Sequence, residues 1–186
     1  MIVLDTEILD LKIIEPTVYE DERGYFFEAY NAQKFEELMG FCPSFCQSNE
    51  SASVKGTIRG LHLQKEPYAQ SKLVRVVSGE VLDVAVDCRS SSSSFGKHVA
   101  VKLSSGNRRQ LWIPKGFAHG FQALSDVCIL NYQVDNFYSV ESEVTIDAFD
   151  DFLGINWLTE EQPLLGLKDR NGENFLETFN KVLPPI

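Results

Sequence analysis

Positive charge is scarce in this 186-residue sequence. Seventeen lysines and arginines face 27 aspartates and glutamates, for a net charge of −10 and a pI near 4.8. That balance repels nucleic acid and anionic membrane surfaces, so no nucleic-acid or membrane partner is expected. Long apolar runs are also missing, and nothing approaches the length of a bilayer span. The start, MIVLDTEILD, lacks a basic n-region, a long apolar segment and a small-residue cleavage site. The expectation is a soluble, cytoplasmic protein. Cysteine is limited to Cys42, Cys46, Cys88 and Cys128. Cys42 and Cys46 stand four apart, with no second Cys/His pair at zinc-ligand spacing, so reduced and mostly buried thiols are expected.

What is present is enough for a core: 44% hydrophobic against 24% charged residues, in a length suited to one domain, 1–186. The signal is β. Val81–Asp87 sets Leu82, Val84 and Val86 against the two aspartates, and Lys97–Leu103 alternates through Val99, Val101 and Leu103. Ser78-Gly79 and Ser104-Ser-Gly-Asn107 carry turn chemistry and predict hairpins. Further strand-like runs lie at 11–19, 23–30, 57–64, 72–77, 109–113 and 127–138. Many short strands at this spacing predict an all-β sandwich, jelly roll or closed barrel. One helix is expected over Ala32–Met39, capped by Asn31, stopped by Gly40, with Phe35, Leu38 and Met39 on one side. Short helical turns are expected near 149–154, 159–162 and 172–181. Residues 139–186 lose the alternation and should wrap the sheet.

Three histidines are candidates for chemistry. His98 should face solvent without a role. In Arg59-Gly-Leu-His-Leu-Gln64, alternation places Arg59, Leu61 and Leu63 on one face and Gly60, His62 and Gln64 on the other. His119 lies in Ile113-Pro-Lys-Gly-Phe-Ala-His-Gly120. A histidine in a β protein is more often structural than catalytic, and periodicity alone does not promote either one.

Pro114-x-Gly116-x-x-His119 resembles the second motif of the cupin superfamily. The first cupin motif needs a His-x-His pair followed by Glu, whereas here His62 is followed by Leu63 and Gln64. One imidazole does not hold a divalent metal, so metal-free chemistry without a cofactor is expected. A closer resemblance runs along nearly the whole chain. In order come Asp21-Glu-Arg-Gly-Tyr-Phe-Phe-Glu28, Arg59-Gly-Leu-His-Leu-Gln64, Ala69-Gln-Ser-Lys-Leu-Val-Arg75 and Gly79–Asp87. Phe95-Gly-Lys97, Arg109–Phe121 and Leu167-Lys-Asp169 follow. Together they resemble the dTDP-4-dehydrorhamnose 3,5-epimerase family. The resemblance implies an all-β, cupin-type jelly-roll barrel with a few short peripheral helices. It also implies a dTDP-4-keto-6-deoxyhexose substrate.

A ketone at C4 acidifies the protons at C3 and C5, because either carbanion delocalises into an enolate. Epimerisation then needs a base on one face, a proton donor on the other and a cation at the enolate oxygen. By resemblance His62 is the base, Asp169 the carboxylate that orients it, Tyr132 the acid and Lys72 the cation. Without the resemblance, Asp169 reads as a surface turn residue, Lys72 as an exposed strand lysine and Tyr132 as a core aromatic. Also by resemblance, Arg23, Arg59 and His119 surround the phosphates and sugar, and Phe26 and Glu28 contact the thymine. Gln47 and Asn49 give polar contacts to the nucleotide, Tyr138 packs on base or deoxyribose, and Glu143 and Lys168 form the rim. A homodimer is implied, with the 23–30 strand donating Arg23, Phe26 or Glu28 to the partner's site. The chain departs from the family at Gln133, Thr145, Ala148 and Asp151, all expected beside the active-site wall and so able to alter substrate preference. The alternatives are a single-position epimerase, at C3 or C5, and a non-catalytic cupin that binds a sugar nucleotide.

Overall fold

In the computed structural model the described residues are 1–158 and 162–179. The strands are β1 (Ile2–Asp5), β2 (Lys12–Glu15), β3 (Val18–Asp21), β4 (Gly24–Phe27), β5 (Gln47–Val54), β6 (Thr57–Gln64) and β7 (Lys72–Ser78). They continue with β8 (Glu80–Asp87), β9 (His98–Ser104), β10 (Gln110–Ile113), β11 (Phe117–Ala123), β12 (Val127–Val134), β13 (Glu143–Thr145) and β14 (Leu164–Leu165). The helices are α1 (Ala32–Met39), α2 (Leu167–Arg170) and α3 (Phe175–Thr178). One six-stranded sheet runs β1-β2-β10-β7-β12-β5. It faces a second, β13-β6-β11-β8-β9, to which β14 adds in parallel on β6. This is the jelly-roll arrangement, and β3 and β4 form a separate two-stranded ribbon.

The expected hairpins at Gly79 and at 104–107 are not hairpins. β7 pairs with β10 and β12, while β8 pairs with β9 and β11, so Ser78–Gly79 is a corner between sheets. The turn after β9 likewise carries the chain across to β10, which pairs with β2 and β7. Turn residues supply a sharp reversal; which strands then pair is decided by non-local burial. Gly79 suits the corner because its φ is +80° and a Cβ would lie 2.5 Å from the Val127 carbonyl.

α1 forms as expected: the Asn31 side chain accepts from the Lys34 N–H, and Gly40 ends the helix at φ +78°. Phe35 is buried against Trp112, Ile14 and Leu73 with Met39 beside them, but Leu38 is exposed. Residues 149–154 form turns rather than a helix, α3 falls inside 172–181, and 159–161 lie outside the described residues.

Between the sheets lie Val74, Val76, Val81, Ala85, Leu111, Ile113, Phe117, Phe121 and Leu130. A second cluster covers the outer face of β6, β8 and β11. There Ile58, Leu61, Leu63, Leu82, Val84 and Val86 meet Ile146, Leu153, Trp157 and Phe175 from the C-terminal segment, whose described residues wrap the sheet as expected. Both faces of β8 are therefore buried. Asp83 and Asp87 point into the barrel rather than to water, and both are 0% exposed. Asp87 is answered by Arg89, Ser92 and Ser94.

Candidate active site

One end of the barrel is open, and its interior is polar. A cavity of about 460 Å³ is lined by His62, Lys72, His119 and Tyr132, with Gln47, Asn49 and Arg59 on one side and Tyr138, Glu143 and Lys168 on another. These side chains come from both sheets: β5, β7 and β12 from one, β6, β11 and β13 from the other.

β6 departs from simple alternation, and the departure builds the site. In its pairing with β11, His119 stands opposite His62 and Phe121 opposite Arg59, so three steps on β6 answer two on β11. This bulge inverts the facing. Ile58, Leu61 and Leu63 lie in the outer cluster, while Arg59, His62 and Gln64 all line the cavity. Arg59 was expected with the leucines; the extra residue moves it to the side of His62. Gly60 permits this, at φ +105°, where a Cβ would sit 2.6 Å from both the Gly120 Cα and the His119 carbonyl oxygen. Arg59 Nε then donates to Ser53 Oγ at 2.9 Å and Nη2 to the Ala52 carbonyl at 3.0 Å.

His62 Nε2 lies 2.6 Å from Asp169 Oδ1, and the same oxygen accepts from the Gly60 N–H at 3.1 Å. With Nε2–H donated to the carboxylate, Nδ1 keeps its lone pair. Asp169 reaches β6 because β14 pairs with it, Leu164 with Thr57 and Leu165 with Ile58, and α2 follows at once. Burial pushes the His62 imidazole below its ordinary 6.5. The Asp169 hydrogen bond pulls it back, and the ammonium groups of Lys168 and Lys72 push it down again. Burial alone would raise the Asp169 carboxyl, but the hydrogen bonds from His62 and Gly60 and the nearby charges leave it below the usual value.

Lys72 is 8% exposed, not a surface lysine. Its Nζ donates to the His62 carbonyl at 3.4 Å and sits 6.0 Å from the centre of the Tyr132 ring, so it stands between the two. Burial brings its pKa down to about 8, against the pull of Asp83 and Glu143. Tyr132 shares the inward face of β12 with Cys128 and Leu130. Burial, helped by Glu143 and opposed by Arg59, raises its phenol above the ordinary 10, so it is protonated at neutral pH.

Asp83 escaped the sequence reading. Its Oδ1 lies 2.8 Å from His119 Nε2, both residues are buried, and its Oδ2 has no hydrogen-bond partner among the described residues. The signal was an aspartate in an otherwise apolar strand, on the face opposite Leu82, Val84 and Val86. At the rim, Glu143 accepts from the Tyr138 hydroxyl at 2.9 Å and from Lys168 Nζ at 2.5 Å. Gln47 Nε2 donates to Asn49 Oδ1 at 2.7 Å on the inward face of β5.

Arg23, Phe26 and Glu28 are not among the cavity-lining residues. Arg23 is exposed and clamps Asp21 at 2.6 Å, Phe26 is 65% exposed, and Glu28 pairs with Lys34 and Asn31. Three of the four departures also lie off the cavity. Gln133 opens onto the opposite face of its sheet beside Ala29 and Tyr30, Ala148 is buried in the outer cluster, and Asp151 is an exposed turn residue. Thr145 alone is adjacent, opposite His62 in the β13–β6 register. His98, expected at the surface, is half-buried with its ring near the Leu153 backbone.

The family model described as dTDP-4-dehydrorhamnose 3,5-epimerase matches residues 5–177. A dTDP-4-dehydrorhamnose 3,5-epimerase from Shigella flexneri is 54% identical over 177 residues, covering 95% of this chain and 97% of its own. Among solved structures, a dTDP-6-deoxy-D-glucose-3,5-epimerase from Legionella pneumophila, in complex with dTDP-4-keto-L-rhamnose, is 48% identical. It superposes with a TM-score of 0.90 over 93% of this chain and 92% of its own. A 3′-monoepimerase from Streptomyces bikiniensis, in complex with dTDP-quinovose, is 28% identical with a TM-score of 0.89 over 95% and 90% of the two chains. On the family match and these identities, the chain belongs to the dTDP-4-dehydrorhamnose 3,5-epimerase family.

Proposed function

We propose that this protein inverts C3 and C5 of dTDP-4-dehydro-6-deoxyglucose, giving dTDP-4-dehydrorhamnose for deoxysugar and polysaccharide synthesis, with His62 as the base and Tyr132 as the acid. The observation that carries the assignment of roles is the convergence of His62, Lys72 and Tyr132 on one cavity, with the ammonium between base and phenol. His62, held by Asp169 with Nδ1 free, removes the proton next to the ketone. Lys72 stabilises the negative charge that develops on the C4 oxygen; a preorganised donor of this kind is worth about 3 kcal/mol at the transition state. Tyr132 returns a proton to the opposite face, which inverts the centre. The phenol and the imidazole need opposite protonation states at the same pH, and their environments supply them.

Arg59 and His119 lie where a cation or a donor can meet a phosphate or sugar oxygen, and arginine's planar fork suits the diphosphate. Gln47, Asn49, Tyr138, Glu143 and Lys168 complete the binding wall. Arg23, Phe26 and Glu28 serve the site from a second copy in a homodimer. Their position off the cavity supports this, as does the exposure of Tyr19, Tyr25 and Phe26 on the β3–β4 ribbon. The four free thiols suit a reducing cytoplasm.

Incubation with dTDP-4-dehydro-6-deoxyglucose in deuterated water tests the reading. Solvent label is expected at both C3 and C5. Label at one carbon would make the protein a single-position epimerase, and binding of dTDP without any exchange would make it a non-catalytic binder. Light scattering at micromolar concentration is expected to give a dimer; a fully active monomer would exclude site residues donated by a partner.

A further inference from the structure

We infer that Gln64 is a positioning residue for this reaction: it fixes Tyr138 at the cavity mouth, from the same strand that carries the base. The inference rests on the reading that the cavity takes the nucleotide sugar. Gln64 stands two residues beyond His62 on β6 and is 6% exposed. It carries no charge and moves no proton in the mechanism. Its carboxamide is nevertheless committed entirely to the backbone of two loops. Nε2 donates to the carbonyls of Tyr68 at 2.6 Å and Phe137 at 3.0 Å, and Oε1 accepts from the Ser139 N–H at 2.6 Å. Phe137 and Ser139 flank Tyr138. Two donors and an acceptor in one plane, at this reach, are what a glutamine supplies and a carboxylate does not.

Tyr138 needs such support because the residue is 53% exposed and gains little from packing. Its second anchor is the hydroxyl, donated to Glu143. Glu143 is the residue paired with Gln64 on the neighbouring strand. One rung of the sheet therefore grips Tyr138 at both ends, Gln64 by the backbone and Glu143 by the phenol. The other oxygen of Glu143 takes Lys168, the residue before Asp169, which in turn holds His62. Base and rim aromatic are thus referenced to a single strand, two residues apart. Neighbouring bonds from Gln70 to the Asn136 carbonyl and from the Ser71 N–H to Asp135 tie the loop elsewhere. Loss of Gln64 should loosen the Tyr138 end without releasing the whole.

Gln64→Glu tests this, because it keeps the shape and turns two donors into acceptors facing two carbonyls. KM, kcat, dTDP affinity and solvent deuterium exchange are compared for the wild type, Gln64→Glu, Tyr138→Ala and the double variant. Gln64→Glu should raise KM roughly tenfold with kcat within about threefold, and the double variant should be no worse than Tyr138→Ala alone, within about twofold. Amide hydrogen exchange across 137–139 should accelerate. Additive effects, or a fall in kcat with KM unchanged, would overturn the role. Should Gln64→Glu not fold, Gln64→Met removes the same three hydrogen bonds without introducing charge and is judged by the same criteria. Absence of label at C3 and C5 in the wild type would overturn the reading of the reaction instead. The dTDP affinities and amide exchange report on Gln64 separately.

Discussion

Lys72→Met is expected to make the protein more stable and to stop turnover. The lysine is 8% exposed, and burial brings its pKa from 10.5 down to about 8. At about 1.4 kcal/mol per pH unit, holding that ammonium in the folded barrel costs about 3 kcal/mol relative to leaving it in water. Methionine has a similar length and no charge. Part of the gain is offset because Asp83, whose Oδ2 already lacks a partner among the described residues, loses a nearby cation. The net gain at pH 7 should be about 1–3 kcal/mol. The direction of the pH dependence is fixed by linkage. Below pH 8 the lysine is charged in both folded and unfolded chains and its full cost is present. Between 8 and 10.5 the unfolded chain binds more proton than the folded one, so wild-type stability rises relative to the variant. Above 10.5 the cost is gone. Urea unfolding of both proteins at pH 7 and at pH 10 reads this as a midpoint difference that shrinks with pH. A variant less stable than wild type at pH 7, or a difference that ignores pH, would refute the argument. So would a variant that turns over at near wild-type rate.

The pH profile of kcat/KM should rise with an acid limb below 6.5, where the burial-depressed His62 becomes neutral, and fall near 8 as Lys72 loses its proton; an acid limb above 7 would contradict the His62 assignment. Asp169→Asn keeps the size of the side chain but removes the charge that holds the His62 tautomer, so kcat should fall about 10²–10⁴-fold. Its surviving activity should show an acid limb at lower pH, since the carboxylate had been raising the imidazole; a limb at higher pH would contradict that coupling. Gly60→Ala places a Cβ 2.6 Å from the backbone of β11 at a positive φ, and should cost at least about 2–4 kcal/mol in a denaturation experiment or prevent folding. A Gly60→Ala protein of wild-type stability would show that β6 does not need this close approach.

How much was legible in the sequence depends on whether the deciding interaction was local. α1, from its Asn31 cap to its Gly40 stop, is written in neighbouring residues and was read correctly. Between 57 and 134 every strand but β11 was visible as an alternating or apolar run, but their partners were not. Gly79 and the 104–107 turn look like hairpin turns and are sheet-to-sheet corners, because pairing is settled by burial of residues far apart in sequence. β5 escaped notice: the inward face of Gln47–Val54 carries Gln, Asn and Ser toward a polar cavity, so no apolar alternation marks it. The same cavity hides the part played by Asp83 on β8, because in sequence an aspartate facing inward resembles one facing water. Arg59 was put on the wrong face because a one-residue bulge inverts all facing beyond it. His62 and Asp169 lie 107 positions apart, and no local pattern connects them. Their pairing was expected only through resemblance to the family.

The most direct test of the mechanism compares two variants, His62→Ala and Tyr132→Phe, in deuterated water with dTDP-4-dehydro-6-deoxyglucose. The phenylalanine keeps the ring and its packing but loses the proton that would reach the far face. His62 can still form the enolate and return a proton to the side it left. Tyr132→Phe should therefore keep part of the solvent exchange while inverted product falls steeply. His62→Ala should lose both exchange and inversion, with dTDP still bound. Inversion by Tyr132→Phe at near wild-type rate would remove Tyr132 as the acid, and exchange retained in His62→Ala would contradict the base on which the account is built.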